Sequence, residues 1–265
     1  EGQLLGGAFL GAVVASACSN PWVGILAAPV AGVLVALLLA LFGLRYRVNQ
    51  IVVGVVLNVL VSGLTGFLFS TFLSSSPSLN RALRLPTLTV PLLSRIPIIG
   101  PVLFRQTILV YLMYAAVAVL SVMLFRSRWG LRLRACGEHP KAADTVGINV
   151  MRTRVTNLAL AGALAGLGGA FFTVGSGLSF ENDMTAGNGY IALAAMILGA
   201  WRPLGSLGAA LLFGFATSVA QTLPVIGSSV SPDIISMIPY IVTILAVAGF
   251  VGKVRAPAAE GVPYP

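Results

Sequence analysis

Charged residues are scarce in this chain of 265 amino acids. Aspartate, glutamate, lysine and arginine make up 9% of the residues, whereas 57% are hydrophobic and the mean hydropathy is +0.97. Soluble domains carry roughly a quarter of their residues as charged side chains, so this composition excludes a soluble domain and indicates a protein of the lipid bilayer. The apolar runs do not alternate with polar residues, which excludes a β-barrel and predicts an all-α, polytopic bundle of transmembrane helices.

Cysteine and histidine are nearly absent. The chain has two cysteines, Cys18 and Cys136, and one histidine, His139. Two cysteines do not build the disulfide framework of a secreted scaffold, and one histidine cannot supply a metal cluster or a histidine-paired nucleophile inside the membrane. No acidic residue lies inside an apolar segment, which leaves an intramembrane proton relay without candidates. We therefore predict no catalytic residue, no metal site and no cofactor in this chain.

The charges that are present divide the chain into uncharged runs. About 20 apolar residues span the hydrocarbon core as a helix, and the first run, 2–44, is long enough for two crossings. The runs predict eight crossings within a single transmembrane domain, 1–265, at 4–18, 22–44, 50–73, 106–125, 155–174, 188–201, 204–222 and 234–251. Because the chain enters an apolar stretch directly, without a charged signal-peptide region, we also expect a further helix to precede it.

The basic residues are unevenly divided between the two sides of these crossings. Twelve lysines and arginines fall in the loops on one side and four in the loops on the other. By the positive-inside rule, the segment 126–154 is cytoplasmic, and the proline-rich loop 74–105 faces outward. The same rule accounts for the net charge of +9 without nucleic acid as a partner. Cys18 and Cys136 fall on opposite sides and cannot pair.

Two predicted crossings, 4–18 and 188–201, are too short to span the membrane without help. Their sequences also look alike, since Gly2 to Leu10 can be laid over Gly189 to Ile197 with glycine and small residues matched. Short segments at corresponding positions of two inverted halves indicate a transport site near the bilayer midplane. A chance likeness in a chain rich in Gly, Ala and Leu is the alternative. The four-residue spacing of small residues, as in Gly162 and Gly166, predicts close helix packing.

Neutral polar side chains lie close to these short segments. An amide offers both a donor and an acceptor, and a tyrosine ring offers an aromatic face, which suits an uncharged, hydrogen-bonding solute. A purely structural hydrogen bond between helices is the alternative for each of them. We predict that the solute path passes between the two short segments and the third crossing, near Gln3, Asn58, Asn188 and Tyr190.

The cytoplasmic segment 126–154 contains a short helix signal. Pro140 suits the first turn of a helix and Gly147 suits the position just past its end, so we predict two turns over 140–146. A helix this short is marginal alone. It therefore needs a surface to dock against, and it lies where a cytoplasmic partner can reach it; a solvated loop is the alternative.

Several runs of the sequence resemble a known family. GLRLRACGEHPKAADTVGINVMRTR followed by ALAGALAGLGGAFF is similar to the cytoplasmic loop and next helix of ABC-importer permeases in the branched-chain amino acid and sugar permease superfamily. EGQLLGGAF, VGVVLNVLVSGLTGFL and MTAGNGYIALAAMILGAWRPLGSLGAALLFG resemble more narrowly the nucleoside and simple-sugar group of those permeases. The resemblance covers nearly the whole chain.

This resemblance implies a multi-pass subunit of the bacterial inner membrane that works in a complex. Its partners are a second permease, expected to be a related chain, a cytoplasmic ABC ATPase that carries ATP and Mg²⁺, and an extracytoplasmic solute-binding protein. The chain itself has no G-x-x-x-x-G-K-[ST] pattern for ATP. The positions that match the family's coupling-helix motif, through which the ATPase acts, are Glu138, Pro140, Ala143 and Gly147.

The leading hypothesis is an importer permease that moves a nucleoside or related uncharged solute by alternating access. The first alternative is the same architecture carrying a simple sugar, riboflavin or a branched-chain amino acid. The absence of charge within the apolar segments argues weakly against an amino acid, although helix ends supply partial charge. An alternative from another class is an intramembrane enzyme.

Overall fold

A computed structural model of the protein describes residues 1–89, 104–226, 237, 241, 244, 256–262 and 264. This part contains nine α-helices and one pair of short strands. In chain order they are α1 (Gly2–Ala17), α2 (Pro21–Ala40), α3 (Gln50–Leu68), β1 (Thr87–Thr89), β2 (Arg105–Thr107), α4 (Ile108–Arg126), α5 (Arg128–Glu138), α6 (Pro140–Thr145), α7 (Val150–Ala170), α8 (Asn188–Leu198) and α9 (Pro203–Val225). Three helices continue without a break into a π-helical turn: α2 into Leu41–Arg45, α3 into Phe69–Leu73 and α7 into Phe171–Gly175.

Five of these helices are long and apolar enough to cross a membrane, and α1 and α8 are shorter apolar helices. The helical, polytopic fold is therefore as predicted, and each of the first seven predicted crossings corresponds to one helix. The short length of α1 and α8 also agrees with the prediction. The eighth predicted crossing, 234–251, lies outside the described residues except for 237, 241 and 244.

Side-chain caps fix where four of the helices begin. The amide oxygens of Asn20, Asn49 and Asn149 accept hydrogen bonds from the backbone N–H groups of Trp22 (3.0 Å), Ile51 (2.9 Å) and Arg152 (2.8 Å). The Ser127 hydroxyl accepts one from Gly130 N–H at 3.1 Å. Such caps satisfy backbone donors that have no partner within the helix.

The segment 126–154 is more helical than we predicted. The sequence predicts one short helix here, 140–146, yet α5 occupies Arg128–Glu138, and α7 begins at Val150, five residues before the predicted start of 155. Charged residues are compatible with a helix on an aqueous face, and the caps at Ser127 and Asn149 start both helices. The density of charge therefore does not mark where the helices begin and end.

The core is a layer of three helices, α1, α2 and α7, which touch through glycine and alanine. A Cβ atom added to Gly32 would overlap the backbone of Gly162, and one added to Gly7 would overlap the backbone of Gly166. Ala8 and Ala28 are completely buried in the same layer. Moving apolar side chains from lipid into a helix interface releases little free energy. Close packing of the helix backbones therefore drives helix association in the membrane. The predicted role of the small-residue spacing is confirmed.

The segment after α7 returns along α1 and α3. Phe180 is fully buried, and its ring packs edge-on against Phe9 at a centroid distance of 5.1 Å. Asn80 accepts a hydrogen bond from Phe180 N–H (2.7 Å) and donates one to the Phe180 carbonyl (2.9 Å). In the described part of the loop 74–105 there is no long helix, as its prolines predict; β1 pairs antiparallel with β2, which we did not predict.

Candidate functional site

The first turns of the two short helices, α1 and α8, meet at Glu1. The Glu1 carboxylate accepts hydrogen bonds from the backbone N–H groups of Gly187 (3.1 Å) and Gly189 (2.5 Å) at the start of α8. It also accepts one from the hydroxyl of Thr185, which is fully buried. The first N–H groups of a helix have no partner within it and carry partial positive charge. A carboxylate that precedes α1 therefore satisfies the first turn of α8.

Asn58 of α3 completes this junction. Its amide oxygen accepts a hydrogen bond from Gly2 N–H at 2.9 Å, and its amide nitrogen donates one to the Tyr190 hydroxyl at 2.9 Å. Since Gly2 follows Glu1 and Tyr190 follows Gly189, the contacts close a ring. We call this ring of Glu1, Gly2, Asn58, Gly189 and Tyr190 the polar junction.

The polar junction lies at the N-terminal ends of α1 and α8 but well inside α3. Asn58 is eight residues after Gln50, which places it about 12 Å along α3 at 1.5 Å per residue. The 11 residues of α8 extend about 16 Å, roughly half of a 30 Å hydrocarbon core. Helix ends at such a depth are tolerated only where they are buried in protein or line a cavity.

Two cavities adjoin the start of α8. The larger, of about 660 Å³, lies between α1, α4, α7 and α8, and the described residues that line it are apolar except for Asn188. The smaller, of about 270 Å³, lies between α8 and α9, where Asn188 and Thr217 are the polar lining residues. Ligand sites generally measure 300–1,000 Å³ and are mostly apolar with a few polar groups. Asn188 lines both cavities, and its amide nitrogen donates to the Thr185 carbonyl at 2.8 Å.

On the other side of the charged helix α5 lies the predicted coupling helix, α6. It covers Pro140–Thr145, one residue shorter than the predicted 140–146, and Gly147 follows with a φ of +83°. Glycine adopts such a φ without steric cost. Gly147 N–H donates to the Asp144 carbonyl (2.9 Å), and Ile148 N–H donates to the Ala143 carbonyl (3.1 Å). The prediction of a helix ended by Gly147 is confirmed.

The two faces of α6 have different surroundings. Ala143 is 3% exposed and packs with Cys136 and Val150 inside this chain, whereas the neighbouring Ala142 is exposed. Ala143, one of the positions that match the coupling-helix motif, thus holds α6 against α5 and α7. Glu138 and Gly147 are exposed, and Pro140 is half-buried. Burial raises the pKa of the Cys136 thiol, which therefore stays protonated and unreactive near neutral pH.

Residues 256–262 and Tyr264, near the end of the chain, pack on the same region. Ala259 N–H donates to the Gly137 carbonyl at 2.9 Å, and the Arg154 guanidinium donates to the Val262 carbonyl at 3.0 Å. The Tyr264 ring lies 5.9 Å from the Arg154 guanidinium carbon and packs against the cluster around Ala143. Desolvation and the hydrogen bond with Asp144 raise the pKa of Tyr264.

Comparison with known proteins identifies the family. The family described as "Branched-chain amino acid transport system / permease component" matches residues 1–247. The chain belongs to this permease family. The guanosine ABC transporter permease protein NupQ of Bacillus subtilis is 39% identical over 251 residues, which cover 92% of this chain and 77% of that protein. The nucleoside ABC transporter permease protein NupC of Lactococcus lactis is 41% identical over 249 residues, or 92% and 78% of the two chains.

A more distant relative is the putative glucose ABC transporter permease protein TsgC13 of Haloferax volcanii, 32% identical over 92% of this permease and 79% of its own length. No solved structure shows significant similarity to the chain. Because its relatives are ABC transporter permeases, the permease is a transport subunit of a membrane complex rather than an enzyme, and the intramembrane enzyme is set aside. It is a multi-pass protein of the bacterial cytoplasmic membrane.

The structure of this permease brings some of the predicted path residues together and leaves one apart. Asn58 and Tyr190 are hydrogen-bonded to each other, and Asn188 lies at the start of the same helix, α8. Gln3 is half-buried in the first turn of α1, and its side chain makes no hydrogen bond to another described residue. Asn58, Asn188 and Tyr190 therefore lie around the start of α8 and the middle of α3, and their role in a solute path stays a prediction.

Sequence reasoning missed Glu1 and Thr185. Glu1 lies directly before the first uncharged run, 2–44, and not inside it, so a criterion based on acidic residues within apolar segments does not find it. The available signal was the position of Glu1 directly before a short helix, together with Gly187 and Gly189 at the start of the other. Gly187 has a φ of +80°, and a Cβ atom on Gly189 would lie 2.7 Å from the Glu1 Cα atom. Both glycines are therefore required for the approach of Glu1.

Proposed function

We propose that this chain forms the translocation path of an ABC importer for a nucleoside or a related uncharged solute. The observation that carries the proposal is the polar junction, in which Asn58 and Tyr190 meet where two short helices begin at membrane depth. The similarity of the chain to guanosine and nucleoside permeases favours a nucleoside over a simple sugar, riboflavin or a branched-chain amino acid.

In this proposal the solute passes beside Gln3, Asn58, Asn188 and Tyr190. The Asn58 amide matches the donor and acceptor pattern of a base edge or a ribose hydroxyl, and the Tyr190 ring, 55% exposed in this chain, offers a face for stacking. Asn188 connects the junction with both cavities. Alternating access then requires the contacts between α1, α3 and α8 to break and re-form, with no covalent chemistry.

We expect ATP-driven uptake of guanosine when the complete complex is reconstituted in proteoliposomes. Excess unlabelled nucleoside should suppress the uptake, whereas glucose and leucine at the same concentration should leave it within about twofold, because they lack the paired donors and acceptors of the base edge. Uptake that glucose suppresses and nucleosides do not would favour the sugar alternative instead.

The loops are assigned sides by their charge. We propose that 126–154 is cytoplasmic and acts on an ABC ATPase that holds ATP and Mg²⁺, whereas 74–105 faces outward and receives a solute-binding protein. The second permease of the complex is proposed to be a related chain. Support comes from the basic residues concentrated around α5 and from the exposed face of α6, which carries Ala142 and leads to Val146, 75% exposed.

Within this segment the coupling residues have different proposed roles. Glu138 and Gly147 lie on the exposed side, and Pro140 starts α6. Ala143 is a positioning residue, because its small side chain lets α6 lie against Cys136 and Val150. The exposed Ala142 therefore replaces Ala143 as the proposed contact with the ATPase.

Substitutions of two neighbouring alanines distinguish a residue that contacts the ATPase from one that positions α6. We expect Ala142→Arg to reduce solute-stimulated ATP hydrolysis by about tenfold or more while the permease keeps its thermal stability, because a bulky charge at a docked face prevents close contact. Ala143→Arg should lower both the solute-stimulated ATP hydrolysis and the thermal stability, because it forces a charge into a buried cluster. Thermal unfolding and ATPase assays on the reconstituted complex measure the two effects, and native coupling in Ala142→Arg would contradict the proposed contact.

A further inference from the structure

The Glu1 carboxylate occupies a position that would otherwise attract an anion. It accepts from Gly187 N–H and Gly189 N–H in the first turn of α8, and from the Thr185 hydroxyl. Helix N-termini bind phosphate and carboxylate groups through these same N–H groups and the positive end of the helix dipole. The protein's own carboxylate therefore fills the anion position beside the proposed path.

The local structure is built to hold Glu1 there. Gly189 has no side chain to displace the carboxylate, since a Cβ atom at this position would lie 2.5 Å from the Glu1 Oε2 atom. Thr185, which donates the third hydrogen bond, is fully buried. The following residue, Gly2, is itself fixed by its hydrogen bond to Asn58. Glu1 is thus held on one side by α8 and on the other by α3.

No basic side chain on these helices balances the charge of Glu1. The sequence has no lysine, arginine or histidine in α1, α3 or α8. The segment that leads into α8 adds Glu181 and Asp183, both acidic and exposed. Because charges interact more strongly in the low-dielectric membrane interior than in water, a second negative charge brought to the polar junction is repelled.

We propose that Glu1 is a specificity-determining residue that excludes anionic solutes from the path. It blocks the anion position at α8 and repels negative charge, so that an uncharged nucleoside is accepted while a nucleoside that carries a carboxylate or a phosphate is rejected. This inference rests on the proposed function, because it assumes that the solute passes the polar junction.

A pair of analogues that differ in charge and hardly in shape provides the test. The complex without its binding protein, in nanodiscs, is given labelled adenosine in competition with adenosine 5′-carboxamide or with adenosine 5′-carboxylate. In the native complex the competition constant of the carboxylate should be about tenfold or more higher than that of the carboxamide, which means weaker competition. Equal competition by the two analogues in the native complex would overturn the inference without any variant.

Two substitutions then assign the effect to Glu1. In Glu1→Gln the side-chain carbonyl still accepts a hydrogen bond but the charge is gone, so the ratio of the two competition constants should fall to about one. In Glu1→Asp the charge remains and the ratio should stay high. If Glu1 has only a structural role, Glu1→Gln should weaken the binding of both analogues equally and leave the ratio of their competition constants at its native value. That result would refute the specificity role. Absence of ATP-driven adenosine uptake by the complete complex in proteoliposomes would instead contradict the proposed function.

Discussion

Replacing Gly32 with alanine should prevent the permease from assembling its three-helix core. The added Cβ atom would overlap the Gly162 backbone, and the nearby Gly166 nitrogen leaves no room for it to shift. Overpacking a core usually costs about 1–3 kcal/mol, because side chains yield. Here the obstacle is the α7 backbone at both Gly162 and Gly166, so α2 and α7 must separate and lose contacts along their whole length. We therefore expect little folded protein and no uptake.

The matched control is Gly63→Ala. Gly63 lies in α3, where a Cβ atom would meet nothing within 4 Å. Alanine favours a helix over glycine by up to about 1 kcal/mol, so this variant should be as stable as the native protein or slightly more stable. Yield after extraction and thermal unfolding measure both variants. Native stability of Gly32→Ala would show that α2 and α7 are not held by this close contact.

Much of the fold follows from hydrophobic runs and glycine spacing. The predicted segments 22–44 and 50–73 correspond to α2 and α3 with their π-helical turns, because a long apolar run leaves a membrane segment no other way to satisfy its backbone. α5 could not be found in this way. Its charged residues obey the rules of an aqueous surface helix, and its Ser127 cap resembles an ordinary loop residue in the sequence.

The polar junction was predicted only in part. The short lengths of α1 and α8 pointed to Asn58 and Tyr190, because helix ends at membrane depth need polar partners. The sequence does not reveal which group satisfies which helix end, since a carboxylate from outside the apolar run, Glu1, satisfies α8. The burial of Ala143 could not be predicted from the sequence either, because neighbouring helices decide which face of a six-residue helix is buried.

Asn58→Leu should reduce nucleoside uptake by about tenfold or more while the permease still folds. Leucine keeps the branched shape of asparagine, with larger end groups, but offers no hydrogen bond, so it leaves Gly2 N–H and the Tyr190 hydroxyl without their partner. Hydrogen bonds between membrane helices contribute about 0.6–2 kcal/mol, a loss that lowers the unfolding temperature modestly. Loss of the solute's own partner is expected to lower transport much further.

Asn157→Leu is the control for Asn58→Leu. Asn157 is also an amide in a membrane helix, but it donates to the Thr153 carbonyl within its own helix, at 2.7 Å. This variant should transport at close to the native rate. Uptake assays and thermal unfolding on both variants separate the two roles of Asn58. If Asn58→Leu transports at the native rate, Asn58 is not on the path; if uptake falls only as far as the folded fraction falls, its role is structural.

The position of a bound nucleoside in a cryo-electron microscopy map of the complete complex tests the path most directly. We predict that its base or ribose lies within hydrogen-bonding distance, about 3 Å, of the Asn58 amide and against the Tyr190 ring. Density for the nucleoside at another place in the complex, with the ring of Glu1, Gly2, Asn58, Gly189 and Tyr190 closed and away from the solute, would contradict this account.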